Sequence, residues 1–167
     1  MAFKFQVFGA SPLVRYSLSH RAEWDPHLSV DHPSIDAQHK LIFERVDEVH
    51  DLCRCDAKLG DLRVAVDLLN GLLETHFRYE ERMLAETTYP HLAEHAAEHR
   101  ELLGELAAIR ANLGGDGKAL PEYGRALLDF LRVVTVGHIE SRDIEYCHYV
   151  AVNPVDELDV SIAAMRI

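Results

Sequence analysis

The sequence has no long apolar run and no cluster of basic residues, and each absence excludes a class of protein. A helix that crosses a bilayer needs about 20 consecutive apolar residues, and no stretch approaches that length. The N-terminal segment MAFKFQVFGASPLVRYSLSH also lacks the unbroken apolar core of a secretory signal. The formal net charge of −11 repels phosphate backbones and anionic lipid surfaces. We therefore expect no nucleic-acid or membrane partner, and a cytoplasmic location.

Cysteine is scarce as well, with three residues in a chain of 167. Cys53, Cys55 and Cys147 are odd in number and show no C-x-x-C spacing, so neither a disulfide framework nor a thiolate zinc site is indicated. We expect reduced thiols that pack as small apolar groups. The remaining composition, 48% hydrophobic and 27% charged, is ordinary for a globular protein and predicts one compact domain.

Apolar side chains recur every three or four residues in four segments, and no segment shows the alternation of a strand. The predicted helices cover about 34–58, 61–86, 90–113 and 121–146. Ser34 is a good N-cap for the first helix, and Gly114 and Gly115 end the third. Because the connections are short, neighbouring helices should run antiparallel. The sequence therefore predicts an all-α, up-down-up-down four-helix bundle with an N-terminal arm and a short C-terminal tail.

Ionisable side chains interrupt the apolar stripe of every helix, and these stripes must face one another. The residues concerned are His39 in the first helix, His76 and Glu80 in the second, His95 and His99 in the third, and His138 in the fourth. A buried, unpaired carboxylate costs several kcal/mol, and a buried histidine needs partners for both ring nitrogens. A domain whose total stability is about 5–15 kcal/mol cannot leave several such groups unsatisfied. A bound cation would satisfy them together.

The spacing of these residues supports a shared site. His76 and Glu80, like His95 and His99, are four residues apart and therefore lie on one face of a helix. The segment HIESRD adds Asp143, five residues after His138, and these two positions are about 140° apart on an ideal helix. Asp143 must therefore approach the site from the side, or the helix must be locally distorted.

An isolated pair of histidines is weak evidence, because such pairs on an exposed helix often contact only water. Six histidines join no such pattern, and we expect them at the surface or the core edge: His20, His27, His32, His50, His91 and His148. The conjunction of five histidines and two carboxylates is the stronger signal. Seven ligands exceed the roughly four to six donors that one transition-metal ion takes, so two ions sharing carboxylates are predicted. Mixed imidazole and carboxylate donors without thiolate favour iron over zinc, although zinc would bind an empty site readily.

Four segments in succession, IDAQHK, HFRYEE, YPHLAEHAAEH and HIESRD, resemble the signatures of the hemerythrin family, and more closely those of the bacterial single-domain hemerythrins. The stretch WDPHLSVDHPSIDAQHK is also similar to the N-terminal arm of that family. The resemblance covers about Trp24 to Tyr146. It implies a di-iron four-helix bundle over 24–147, an N-terminal extension over 1–23 that lies outside the family pattern, and a C-terminal tail over 148–167.

Carried over residue by residue, the resemblance implies two iron ions joined by a solvent-derived oxo or hydroxo group. One ion would take His95, His99 and His138, the other would take His39 and His76, and Glu80 and Asp143 would bridge both. The second ion then has one open position, where dioxygen would bind. The resemblance also implies an apolar pocket over that position, formed by Phe77, Val134, Thr135 and Ile139.

Two pocket residues depart from the family pattern. Val134 stands where the family usually has Trp, and Thr135 stands where it usually has Leu. We expect these exchanges to make the pocket wider and wetter, and to speed autoxidation of the oxygenated protein.

Three functions remain open: an oxygen carrier, store or delivery protein; an oxygen or redox sensor; and a di-iron oxidase, peroxidase or nitric-oxide-handling enzyme. Carboxylate-rich oxidase bundles use Glu-x-x-His motifs. The residues three before the five ligand histidines are Asp36, Leu73, Leu92, Ala96 and Thr135, so no such motif is present. Neutral imidazoles stabilise ferric iron less than carboxylates do. The sequence therefore favours reversible oxygen binding over enzymatic turnover.

Overall fold

The computed structural model describes residues 24–55, 57–113 and 120–152, and these residues are almost entirely helical. A short 3₁₀ turn, Pro26–Leu28, precedes the first long helix. The helices are α1 (Pro33–Arg54), α2 (Leu59–Glu86), α3 (Leu92–Asn112), α4 (Leu120–Arg132) and α5 (Ile144–Val152). A π-helical segment, Val133–Asp143, joins α4 to α5, so that the three form one continuous helical rod. The described residues contain no strand, which confirms the predicted all-α fold.

Each rod packs on its neighbours in a closed ring. The α1 helix contacts α2 and α4, α2 contacts α3, and α3 contacts α4. Short connections between consecutive rods turn the chain back on itself, which gives a four-helix bundle. No helix in the described part of the chain is both long enough and apolar enough to cross a membrane.

The start of α1 differs from the sequence prediction. Pro33 is the first helical residue, and His32 is the N-cap, with its Nδ1 accepting from the Ile35 amide at 3.4 Å. Ser34 therefore lies inside the first turn and is not the cap. Proline suits the first helical position because it has no N–H to satisfy and its φ angle is already near the helical value.

The N-terminal arm is tied to α1 by polar contacts. Asp36 accepts hydrogen bonds from the Ser29 hydroxyl at 2.5 Å and from the Val30 amide at 2.9 Å. The ammonium group of Lys40 lies 4.2 Å from the centre of the Trp24 ring, close enough for a cation–π contact. At the other end of the chain α5 continues the helix past residue 147 to Val152. The predictions for 1–23 and for the rest of the tail fall outside the described residues.

Two apolar clusters fill the interior, and the polar site lies between them along the rods. The larger apolar cluster draws on all four rods and includes Leu62, Leu69, Leu106, Leu113 and Leu127. The smaller apolar cluster consists of Val30, Ile35, Tyr79, Met83, Leu84, Tyr146 and Val150. This arrangement places the ionisable residues of every rod at one level, enclosed above and below by apolar side chains.

Candidate metal centre

All seven predicted ligands come together in the middle of the bundle. We call them the ligand layer: His39, His76, Glu80, His95, His99, His138 and Asp143. Every member is buried, with exposed fractions from 0% to 6%. The four rods each contribute, because α1, α2, α3 and the π-helical segment pass the same level of the bundle.

The ligand layer divides into two overlapping groups of four. One group contains Glu80, His95, His99 and His138, and the other contains His39, His76, Glu80 and Asp143. Within each group, one potential ligand atom from every residue lies within 4.8 Å of those of the others. Glu80 belongs to both groups, which is the position of a carboxylate that two metal ions share.

One oxygen of Glu80 faces both groups. Its Oε2 lies 3.1 Å from His95 Nε2, 3.0 Å from His99 Nε2 and 4.0 Å from His76 Nε2. The other oxygen, Oε1, accepts a hydrogen bond from the Tyr146 hydroxyl.

Asp143 also reaches both groups, with one oxygen directed to each. Its Oδ1 lies 3.5 Å from His95 Nε2 and 3.3 Å from His138 Nε2, and its Oδ2 lies 3.2 Å from His39 Nε2. Both predicted bridging carboxylates therefore lie close to histidines of both groups.

The π-helical segment explains how Asp143 reaches the site. A π-helix pairs each carbonyl with the amide five residues later, so its turns are wider than those of an α-helix. Positions 138 and 143, five apart, are thereby brought toward the same face. The Ser141 hydroxyl contacts the carbonyl of Val136, five residues earlier, at 3.3 Å, which agrees with the wider turn. Of the two alternatives left open by the spacing, the structure shows local distortion.

The unpaired atoms of the ligand layer fit a pair of metal ions. Both ring nitrogens of His39, the Nε2 of His76 and both carboxylate oxygens of Asp143 are buried without a well-oriented hydrogen bond, although His39 Nε2 and Asp143 Oδ2 are 3.2 Å apart. His99 Nε2 and His138 Nε2 are only 2.9 Å apart, although two neutral imidazole nitrogens repel each other unless a proton or a metal ion lies between them. Leaving so many buried groups unsatisfied costs several kcal/mol. Imidazole nitrogens and carboxylate oxygens are a donor set that suits iron.

The pKa values of the ligand layer agree with this reading. Burial lowers the pKa of His76 to about 3, against an ordinary value of 6.5, and so keeps its ring neutral. Burial alone would raise the pKa of Glu80, but hydrogen bonds with His95 and His99 outweigh it and hold the pKa well below its usual range. Burial lowers the pKa of His95, but its hydrogen bond and charge interaction with Glu80 outweigh burial, so the pKa is raised overall.

Three residues that the sequence analysis did not identify orient the ligand histidines. Gln38 Oε1 lies 3.0 Å from His76 Nδ1, and Glu81 Oε1 lies 2.8 Å from His99 Nδ1. Metal-binding histidines typically donate their second ring N–H to such a group, which sets the tautomer and the ring orientation.

The third of these residues is Glu98, whose Oε2 is 3.6 Å from His138 Nδ1. Arg142 holds Glu98 through hydrogen bonds from Nε to both carboxylate oxygens, at 2.8 and 3.0 Å. The pKa of Glu98 falls to about 2: burial opposes the shift, but the contacts with His138 and Arg142 outweigh it.

All three outer partners are sequence neighbours of ligands, yet each contacts a ligand on a different rod. Gln38 precedes one ligand of α1 but contacts α2, and Glu98 precedes one ligand of α3 but contacts the π-helical segment. The sequence signal that could have identified these outer partners is that each is a polar residue directly beside a ligand. The partner that each one contacts depends on how the rods are rotated and offset.

The predicted pocket residues Phe77, Val134, Thr135 and Ile139 are all buried beside the ligand layer. The Phe77 ring stacks on His99, with ring centres 3.9 Å apart and an angle of 9° between the planes. The Thr135 hydroxyl donates to the Leu131 carbonyl at 2.9 Å. That bond directs the hydroxyl proton to the helix backbone, so it weakens the expectation that Thr135 adds a donor to the pocket.

The histidines predicted to lie outside the site do so wherever the structure describes them. His27 and His91 are exposed, His32 is buried as the cap of α1, and His50 is half-buried on α1. His20 and the side chain of His148 fall outside the described residues. The three cysteines are free thiols. Cys53 and Cys147 are half-buried, but Cys55 is exposed, so the expectation that all three pack as small apolar groups is wrong for Cys55. Burial raises the pKa of Cys53 to about 11.

The sequence matches one family model and is similar to several known proteins. The model of the Hemerythrin HHE cation binding domain matches residues 32–146. The chain is 27% identical to myohemerythrin-1 of Phascolopsis gouldii over 124 residues, which are 74% of this chain and 89% of the relative. It is 26% identical to the myohemerythrin of Riftia pachyptila over 123 residues, 74% of this chain and 88% of the relative. It is 30% identical to the bacteriohemerythrin of Methylococcus capsulatus over 112 residues, 66% of this chain and 82% of the relative.

Proposed function

Because the chain belongs to the hemerythrin family, we propose that it binds dioxygen reversibly at a non-haem centre of two iron ions held by the ligand layer. The observation that carries this proposal is the division of seven buried donors into two groups of four that share the carboxylate of Glu80. The histidines are unequal in number, because one group has three of them and the other has two.

The contacts within the two groups support an assignment of ligands to each ion. His95, His99 and His138 would bind one ion, His39 and His76 the other, and Glu80 and Asp143 both, together with an oxo or hydroxo bridge. When bound, the two ions supply the two electrons and the open coordination position that dioxygen binding needs. The open position would belong to the ion held by His39 and His76, since that ion would have one histidine fewer.

The rest of the chain keeps the donors oriented and dry. Gln38 and Glu81 fix the rings of His76 and His99, so the nitrogens that face the centre are free to bind metal. Phe77 stacks against His99 and lies 5.5 Å from the rings of both His76 and His138, measured between centres. Its ring thus covers both groups with apolar surface, which excludes water from the site.

The imidazole-rich donor set supports carriage over turnover. Five neutral imidazoles leave less negative charge on the metal ions than a carboxylate-rich site would, so the ferric state is less favoured and release of oxygen is easier. An oxygen carrier, store or delivery protein needs oxygen to be released without leaving the iron ions in the ferric state. We also infer that the protein has no nucleic-acid or membrane partner, from the net charge of −11, and that it is cytoplasmic, from the absence of a secretory signal pattern.

The test is stopped-flow spectroscopy of the reduced, iron-loaded protein. We expect two iron ions per chain, an absorption change on mixing with dioxygen, and reversal of that change under argon. His91→Ala is the matched control, because the His91 side chain is exposed and pairs with Glu94 rather than with a member of the ligand layer, and it should behave like wild type. One zinc ion and no iron in protein grown with iron, or an absorption change that argon never reverses, contradicts the proposal.

A further inference from the structure

Three tyrosines form a line of rings from the ligand layer to the protein surface. Tyr146 is buried, donates its hydroxyl to Glu80, and lies edge-on to His95 with ring centres 5.7 Å apart. The Tyr89 ring follows at 6.3 Å, and the Tyr149 ring lies 5.3 Å beyond it. Tyr89 and Tyr149 are both half-buried, so the line ends where solvent and small molecules have access.

The turn that carries Tyr89 is strained and yet firmly held. Thr88 has a φ angle of 57°, which is unfavourable for a β-branched residue. The Tyr149 hydroxyl contacts the carbonyls of Thr87 and Thr88, each at 3.0 Å, and the Tyr89 amide donates to Leu84 at 3.0 Å. Strain of this kind persists only where surrounding contacts enforce it, and it is frequent at functional positions. Here the enforced conformation holds Tyr89 against Tyr146.

The chemistry of this line differs from that of the other groups around the ligand layer. Gln38, Glu81 and Glu98 contact ligand histidines through an amide and carboxylates, which resist one-electron oxidation. A phenol loses one electron and one proton far more easily. Tyr146 has a proton acceptor in place, since its hydroxyl already donates to Glu80 Oε1.

We propose that Tyr89 and Tyr146 conduct electrons inward, from a small one-electron donor at the surface to the ligand layer, when the loaded site meets hydrogen peroxide. The proposal rests on the proposed function, since the site must hold its metal ions. The charged groups that act electrostatically on Tyr89 are Glu94, Glu145 and Arg142. The donor in this proposal is a small molecule of the hydroquinone class, which can lose one electron and one proton at a time.

The electron balance is as follows. Hydrogen peroxide takes up two electrons and two protons and gives two water molecules. Each electron leaves Tyr146, whose phenolic proton moves to Glu80 Oε1 and returns when Tyr89 reduces the Tyr146 radical. Tyr89 loses its proton to water and regains an electron and a proton from the donor. One peroxide therefore consumes two donor molecules, each of which loses one electron and one proton.

The experiment uses the full chain loaded with iron and mixed with hydrogen peroxide. Rapid-freeze electron paramagnetic resonance detects tyrosyl radicals, and peptide mass spectrometry identifies the oxidised or cross-linked tyrosines. In wild type we expect a radical and oxidation at Tyr89. In Tyr89→Phe the radical should stay on Tyr146, and in Tyr146→Phe oxidation of Tyr89 should be lost.

Tyr79→Phe is the matched control, because Tyr79 lies on α2 next to Glu80 but has no hydrogen-bond partner for its hydroxyl. It should oxidise hydroquinone at the wild-type rate, whereas Tyr146→Phe should be slower. Unchanged oxidation of Tyr89 in Tyr146→Phe, or no tyrosine oxidation in wild type, overturns the proposal.

Iron content and reversible oxygen absorption are measured on the same samples. Protein that passes both measurements but shows no tyrosine oxidation refutes the electron route alone, and protein without iron refutes the proposed function as well.

Discussion

The larger apolar cluster and the ligand layer are adjacent regions of one bundle, but opposite physical effects stabilise them. Leu62, Leu69, Leu106 and Leu127 are fully buried, and each contributes about 1.5–3 kcal/mol simply by leaving water. The ligand layer buries seven ionisable groups to the same degree, and burial of such groups is unfavourable until a cation satisfies them.

This difference separates folding from function within the molecule. The larger apolar cluster needs no bound partner, so it can hold the four rods together in the absence of metal. The ligand layer depends on metal for its stability, so its order should follow the concentration of free metal ions. The predictions below test this separation, in order of decreasing expected effect.

Removing the metal should have the largest effect. We expect a markedly lower melting temperature, because the unloaded ligand layer keeps unpaired nitrogens and carboxylates in a low-dielectric interior. Hydrogen exchange should quicken around His76 and His138 while the segments around Leu62 and Leu106 stay protected. Calorimetry and exchange mass spectrometry before and after chelation measure both. An unchanged melt, with loss of metal confirmed, argues against a buried site.

Substitutions in the two regions should separate stability from metal content. Leu106→Ala should reduce the free energy of unfolding by about 2–5 kcal/mol, with or without metal, and leave iron content near wild type. Glu80→Ala and Asp143→Ala each remove a donor from both ions, so they should lose more iron than His39→Ala. Chemical denaturation and metal analysis give the two quantities.

Two controls accompany these variants. His27→Ala and His91→Ala change exposed histidines and should retain wild-type iron. Equal iron retention in Glu80→Ala, Asp143→Ala and His39→Ala contradicts the bridging assignment. A large loss of iron in Leu106→Ala shows that the two regions are not separable.

The stability of the metal-free protein should depend on pH in two opposite ways. Burial lowers the folded pKa of His76 to about 3, so the unfolded chain binds the extra proton and stability falls as the pH drops from 6.5 toward 3. The folded pKa of His95 is raised, because its hydrogen bond with Glu80 outweighs burial. Its contribution is complete below 6.5 and is lost as the pH rises through that raised value.

Stability should therefore be greatest near the ordinary histidine pKa of 6.5. Urea unfolding of metal-free protein over a pH series measures this dependence. His95→Gln should remove the decline on the alkaline side and keep the acid decline. A pH profile that is flat below 6.5 is incompatible with a buried, neutral His76.

The outer partners should have a smaller effect, confined to metal affinity. Removal of such a group typically weakens metal binding about 10- to 100-fold. Glu81→Ala should weaken the group that contains His99, and Gln38→Ala the group that contains His76. Stepwise titration of metal-free protein with Co²⁺ distinguishes the two groups by their separate binding phases. If neither variant alters either phase, these side chains do not orient the ligands.

The pocket substitution should have the smallest effect. The sequence suggests that Thr135 speeds decay of the oxygenated protein, but its hydroxyl donates to Leu131. We therefore expect Thr135→Leu, which adds bulk, to slow the decay modestly. Thr135→Val, which removes only the hydroxyl, should leave the rate near wild type. The measurement is loss of the oxygenated spectrum at matched pH and temperature, and slower decay in Thr135→Val would assign the effect to the hydroxyl.

Local features of the chain were predictable because their cause is local. The 3.6-residue period determines which residues of one helix share a face. It predicted four helices, the paired donors His76 with Glu80 and His95 with His99, and the burial of polar groups within apolar stripes. The N-cap of α1 was misassigned to Ser34; it is His32, two residues earlier, because Pro33 occupies the first helical position.

Relations between rods were decided only by the tertiary structure. The rotation and axial offset of one helix against another depend on packing over the whole interface, and no spacing within a single helix encodes them. For that reason the sequence could place His138 and Asp143 five residues apart but could not choose between a lateral approach and the π-helical turn that is observed. The same reason hides the contacts of Gln38 and Tyr146, each of which meets the ligand layer on a rod other than its own. The sequence by itself determined which residues could bind metal, and the packing of the rods decided how they face one another and what supports them.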